Sequence, residues 1–88
     1  MSSKKLDLFV DGPMADKDVK KIPGIGTVLG EQMVTKGITS ASEVFGQFLV
    51  LKKDKGKFCD WLRKFGANNG QCNACYDAMI EWSKKYFE

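Results

Sequence analysis

Apolar residues recur along the chain at intervals of three and four and never sustain an alternation of two, a pattern that predicts helices and an all-α fold. Ser2 and Ser3 offer N-cap hydroxyls for a short helix through Val10, which Gly12-Pro13 ends. Asp16 is placed to cap a second short helix carrying Val19 and Ile22 and stopping at Pro23-Gly24. Val28, Leu29 and Met33 share a face of a third, closed by Gly37 as a left-handed C-terminal residue. Thr39 or Ser40 can cap a fourth helix, and Asp54 is placed to start a fifth carrying Phe58, Trp61, Leu62 and Phe65 and ending near Gly66. The last runs from about Asn69 to Tyr86 with Cys72, Cys75, Met79 and Trp82 along one face, followed by Phe87. The connections are short, and no repeat, linker or low-complexity tract divides residues 1–88. The expected architecture is one small compact bundle of about five to six short helices.

Within the fourth helix, residues 44–51 (Val-Phe-Gly-Gln-Phe-Leu-Val-Leu) are too apolar for a single buried stripe. That segment either crosses the core or meets another chain. A chain of 88 residues buries only roughly 60–65% of the surface its unfolded form exposes, so support from a second copy is expected. The expected contact is a two-fold homodimer burying part of Phe45 to Leu51 and the helix of Trp61.

Composition narrows the chemistry. The chain has no histidine, which excludes Ser-His-Asp and Cys-His nucleophile pairs, H-E-x-x-H zinc sites and Cys/His zinc fingers. The acids are scattered singly, with no carboxylate cluster of the kind that metal-assisted hydrolysis uses. A binding protein without cofactor or metal is expected, not an enzyme. Cys59, Cys72 and Cys75 form an odd set that suits a reducing compartment, and Cys72-x-x-Cys75 reads as small residues on a helix face. No apolar run approaches the roughly 18 to 20 residues of a membrane span. The net charge is +3, but residues 52–64 hold six cations against Asp54 and Asp60, a local excess of four. Such a run is either a solvated helix end or a surface that faces phosphates.

The most informative stretch is Val19-Lys-Lys-Ile22-Pro23-Gly24-Ile25-Gly26-Thr27-Val28-Leu29-Gly30, followed by Met33. Two apolar helical segments are joined by a turn in which Gly24 and Gly26 can take backbone angles forbidden to other residues, with Ile25 pointing into the core. The next helix then starts with free amides and the positive end of its macrodipole beside the turn, a geometry suited to a phosphate oxygen. Gly30, one turn on, lets the two segments approach closely. The pattern resembles the helix-hairpin-helix motif of proteins that grip DNA through its backbone, and such contacts carry no base information. A tight αα-turn whose glycines only solve a packing problem is the plainer alternative.

Over nearly its full length the chain resembles the barrier-to-autointegration factor family. The resemblance rests on Phe9-Val10 with Pro13-Met14, Gly24-Ile25-Gly26 with Val28-Leu29-Gly30, the block Gly46 to Asp54, Phe58 with Trp61-Leu62, Gly66-Ala67-Asn68 and Glu81-Trp82. It implies an all-helical homodimer with one site for double-stranded DNA on each protomer, facing apart, so that a dimer joins two duplexes or loops one. It further implies partners among LEM-domain proteins of the inner nuclear membrane, lamins and histones. The implied location is the nucleus, at chromatin and the nuclear envelope, and partly the cytoplasm, without insertion into the membrane. Carried over by position, the DNA surface comprises Ser3, Lys4 and Lys5, then Gly24, Ile25, Gly26, Thr27, Val28 and Leu29, then Asn68, Asn69, Gly70 and Gln71. The partner and dimer surface comprises Phe45, Gly46, Val50, Leu51, Lys52, Lys57 and Trp61, with the LEM groove near Val50 to Lys52 and Lys57. The resemblance also implies phosphorylation at Ser2 and Ser3, where each phosphate adds about −1.5 to −2 charges beside Lys4 and Lys5.

The chain departs from the family pattern at several positions. Glu31-Gln32 follow Gly30 where at least one lysine is usual, Asn73 stands where arginine is common, the loop before Gly66 is one residue shorter, and Gly56 and Lys57 replace an acidic-and-leucine stretch. An interaction adaptor that uses the dimer groove with weak or no DNA binding is the competing reading. An accessory module clipped from a repair enzyme is a third, and it would need a carboxylate cluster or a lysine nucleophile in a cleft.

Overall fold

A computed structural model describes residues 4–14 and 17–86. Among these residues the elements are α1 (Lys4–Val10), a 3-10 turn (Val19–Lys21), α2 (Thr27–Thr35), α3 (Ala41–Val50), α4 (Lys55–Arg63) and α5 (Asn69–Tyr86), with no strand. The all-α expectation holds.

Local side-chain chemistry sets the helix ends. Ser40 caps α3 in a reciprocal capping box: its hydroxyl accepts from the Glu43 amide, and the Glu43 carboxylate accepts from the amides of Thr39 and Ser40. These hydrogen bonds hold the Glu43 carboxyl below its ordinary pKa, the Thr39 amide contributing most. Asp54 caps α4 by accepting from the Lys57 amide at 2.9 Å. Asn68 and Gln71 cap α5 reciprocally, each side-chain oxygen accepting from the other's amide at 2.8 and 2.9 Å. Gly37 closes α2 at φ 93°, with the Ile38 amide donating to the Met33 carbonyl and the Gly37 amide to that of Val34. Lys52, with φ 58°, occupies the corresponding left-handed position after α3, followed by Lys53 at φ 62°.

The second helix expected from the sequence is shorter than its pattern suggests. Ile22 precedes Pro23 and takes an extended conformation (φ −73°, ψ 130°), leaving one 3-10 turn between it and Asp18. Asp18 caps this turn, accepting from the Lys20 amide at 2.8 Å. Asp16, the residue expected to do so, lies outside the described residues, as do Ser2, Ser3 and Phe87.

α5 is the long element against which α1 and α4 pack, while the 3-10 turn lies against α2 and α3. The core is drawn from every element and includes the fully buried Phe9, Val19, Ile22, Ile25, Met33, Phe48, Phe58, Leu62 and Met79. Three polar ties orient the layers: Trp82 Nε1 donates to the Gly12 carbonyl at 3.1 Å, Tyr76 Oη to that of Lys53 at 2.8 Å, and the Val19 amide to that of Thr39 at 3.1 Å. The first two tie α5 to the chain just after α1 and just after α3. The third ties the start of the 3-10 turn to the start of α3.

Candidate nucleic-acid interface

The hairpin that leads into α2 is built from unlike glycines. Gly24 has φ 88°, and a Cβ there would collide with the Gln71 carbonyl and stand 3.1 Å from the Ala74 Cβ and the Cys75 amide nitrogen. Gly24 is therefore the point where the turn rests on the first turns of α5. Gly26, the N-cap of α2, has an ordinary extended conformation (φ −96°, ψ −164°), and a Cβ there would meet nothing within 4 Å. The expectation that Gly26 serves a special backbone angle is thus corrected. Its missing side chain leaves open ground in front of the first amides of α2, which have no side-chain cap. Gly30 acts as expected: a Cβ there would stand 2.5 Å from Cγ of Lys20, whose methylene stem covers it.

Because Gly24 sits on α5, the N-terminus of α2 comes beside that of α5. Val28 and Leu29 share a surface cavity of about 460 Å³ with Gln71 and Gly66, rimmed by Lys36, Arg63 and Lys64. On α5, Asn69 and Gly70 are exposed, and Asn68 and Gln71 are engaged in their capping box. From the other side, Lys5 Nζ donates to the Ile25 carbonyl at 2.8 Å, fixing an ammonium against the hairpin. Partial burial, and secondarily the charge of Lys21, hold the Lys5 ammonium below its ordinary pKa.

Of the residues expected to face DNA, Lys5, residues 24–29 and residues 68–71 are therefore gathered in one region. The side chains of Ile25 and Leu29 are buried, so these two can offer only main-chain groups. Val28 is exposed at 76%, a valine facing solvent where a helix begins. Lys4 opens α1, and Ser3 lies outside the described residues.

Lys36, Lys20 and Lys21 border this region without having been expected to face DNA, and Arg63 and Lys64 come to it from the cationic run at residues 52–64. Arg63 ties α4 to α5, donating to Asp60 Oδ1 at 2.8 Å and to Asn69 Oδ1 at 2.9 Å. Lys36 Nζ donates to the Lys64 carbonyl at 3.2 Å and lies 5.6 Å from the centre of the Phe65 ring. The same run extends away from the cavity at its other end, where Lys55 stands over Tyr76. A run's charge is visible in sequence; which end reaches a helix N-terminus depends on tertiary packing.

The expected partner surface divides. Phe45 belongs to the core of the chain itself, stacked on Phe48 at 5.6 Å and meeting Trp82 edge-on at 5.0 Å. Gly46, Leu51 and Trp61 are half-buried, Lys52 and Lys57 are exposed, and Val50 is 71% exposed. Cys59, Cys72 and Cys75 are buried free thiols, and burial pushes that of Cys59 up to about 11 and that of Cys75 higher still. Among the described residues no group of histidine, cysteine and carboxylate side chains is arranged to hold a metal ion.

The sequence profile of the family described as Barrier to autointegration factor matches residues 1–86. The chain belongs to the barrier-to-autointegration factor family. It is similar to the zebrafish (Danio rerio) barrier-to-autointegration factor, with 43% identity over 86 residues covering 97% of this chain and 96% of the relative. With the human protein of that name it shares 44% over 82 residues, covering 92% of each chain. With the Drosophila melanogaster protein it shares 37% over 86 residues, covering 97% of this chain and 96% of the relative. The barrier-to-autointegration factor match spans all five helices, so the hairpin and the start of α5 lie within the family's shared architecture.

Proposed function

We propose that this chain is a non-enzymatic chromatin protein that binds double-stranded DNA through its phosphates without sequence preference. The observation that carries this reading is the meeting of two helix N-termini across Gly24, with Gly26 leaving the α2 amides unobstructed and Lys5 fixed beside them. As a homodimer with sites facing apart, it bridges two duplexes or two parts of one. The exposed Val50 and half-buried Trp61 support a dimer surface on α3 and α4. Following the family resemblance, the groove near Val50, Leu51, Lys52 and Lys57 takes a LEM-domain protein. Lamins and histones are further partners, located with it at chromatin and the nuclear envelope. Phosphates on Ser2 and Ser3 release the DNA by opposing the charges of Lys4 and Lys5.

The test is a mobility-shift titration of a duplex of about 20 base pairs across salt concentrations. If each site neutralises on the order of four phosphates, log K falls with log salt at a slope of about −3.6. Gly26→Glu abolishes the shift while leaving the circular dichroism unchanged, because its side chain points into open space and sets a carboxylate where a phosphate would lie. Equal affinity of variant and parent refutes the reading. Failure of the parent to bind, with a LEM domain still captured, supports the adaptor reading instead.

A further inference from the structure

A second cationic cavity adjoins the hairpin on its 3-10 side. It has a volume of about 440 Å³ and is lined by Lys5, Lys17, Lys20 and Lys21 over Leu8 and Phe9. Two contacts make it continuous with the hairpin: Lys5 is bonded to the Ile25 carbonyl, and the Lys20 stem lies over Gly30 of α2. Lys17 is anchored by donating to the Pro13 carbonyl at 3.3 Å, with its ammonium 5.9 Å from the centre of the Phe9 ring. Among the described residues none of the four lysines has a carboxylate within ion-pair distance. Asp18, between Lys17 and Lys20, spends its carboxylate on the Lys20 amide as the cap of the 3-10 turn. Four ammonium groups thus surround one cavity without a counter-charge from those neighbours.

We propose that Lys5, Lys17, Lys20 and Lys21 form a second phosphate subsite, which holds further backbone phosphates of the duplex gripped by the hairpin. The inference rests on the DNA-binding reading and extends its footprint. Ammonium groups on flexible stems suit a phosphate that needs charge and not a fixed fork geometry. The apolar floor, with Leu8 61% exposed, offers a surface for the sugar that adjoins such a phosphate. Burial and, secondarily, the charge of Lys21 lower the Lys5 pKa, and an anion in the cavity offsets that charge. The subsite also supplies charge that α2 itself lacks, since residues 27–35 contain no cation and carry Glu31-Gln32 after Gly30.

The test compares the salt dependence of duplex binding by the parent, Lys21→Gln, and the double variant Lys20→Gln, Lys21→Gln. Glutamine at position 20 keeps methylenes over Gly30, and thermal melting checks the fold. If each lysine engages one phosphate, the slope of log K against log salt becomes shallower by about 0.9 in the single variant and about 1.8 in the double. Between 50 and 200 mM salt the parent then loses roughly tenfold more affinity than the double variant. Unchanged slopes with the parent still binding overturn the subsite alone. Lowered affinity at an unchanged slope also overturns it, because that pattern marks lost packing and not lost phosphate contacts. A parent that does not bind duplex overturns both the subsite and the reading on which it rests.

Discussion

Replacing Gly24 by alanine forces a left-handed backbone angle on a residue with a Cβ and drives that Cβ into the Gln71 carbonyl, whereas at Gly26 neither penalty exists. The expected cost of Gly24→Ala is about 2–3 kcal/mol of unfolding free energy. Gly26→Ala changes stability by no more than about 0.5 kcal/mol. Duplex affinity responds in the opposite order per unit of stability: a methyl in front of the α2 amides disturbs an amide–phosphate bond worth about 1.5–3 kcal/mol, lowering affinity about tenfold or more. Urea unfolding and a duplex titration on the same two variants check both halves. Equal effects of Gly26→Ala on folding and binding would mean the residue is structural. The sequence shows two glycines two positions apart and treats them alike. What distinguishes them is a carbonyl far along the chain, which local pattern does not reveal.

At the scale of elements, ends were more legible than lengths, because caps are set by residues three or four positions apart. Asp54, Gly37 and Gly66 sit where their patterns place them, and the choice between Thr39 and Ser40 falls to Ser40 through its box with Glu43. Over the 3-10 turn the helical spacing of Val19 and Ile22 predicts a longer helix, but Pro23 removes the conformation needed to continue it. Lys52 was not legible as a left-handed residue at all, since nothing in its side chain favours that region. Ser40→Ala should cost about 1 kcal/mol of stability, measured by urea unfolding. Glu43 gives the same cap a pH signature. Its folded carboxyl titrates below its unfolded value, so its contribution is present above the ordinary glutamate pKa and is lost as pH falls through the lowered folded value. Glu43→Gln should flatten that acid limb; an unchanged limb would place the acid sensitivity elsewhere.

For the whole molecule, the sequence revealed the fold class and the family, and packing added where charge gathers. Lys36 and Lys64 on one flank and Lys20 and Lys21 on the other come from segments that sequence distance keeps apart. Among the described residues no helix is long and apolar enough to cross a membrane. Bridging by a protein with one duplex site per chain requires two copies. Light scattering is expected to give twice the 9.8 kDa of one chain, and Val50→Glu to halve that mass without unfolding, because the side chain is exposed within its own protomer. A parent of 9.8 kDa at micromolar concentration would contradict the dimer. Contact between phosphates and the main-chain amides at two adjoining helix starts is read by amide chemical shifts of isotope-labelled protein titrated with duplexes of unrelated sequence. The largest shifts are expected at Gly26, Thr27, Val28, Asn69 and Gly70, at the same residues for each duplex. Shifts confined to residues 50–57 with the hairpin unmoved would contradict it.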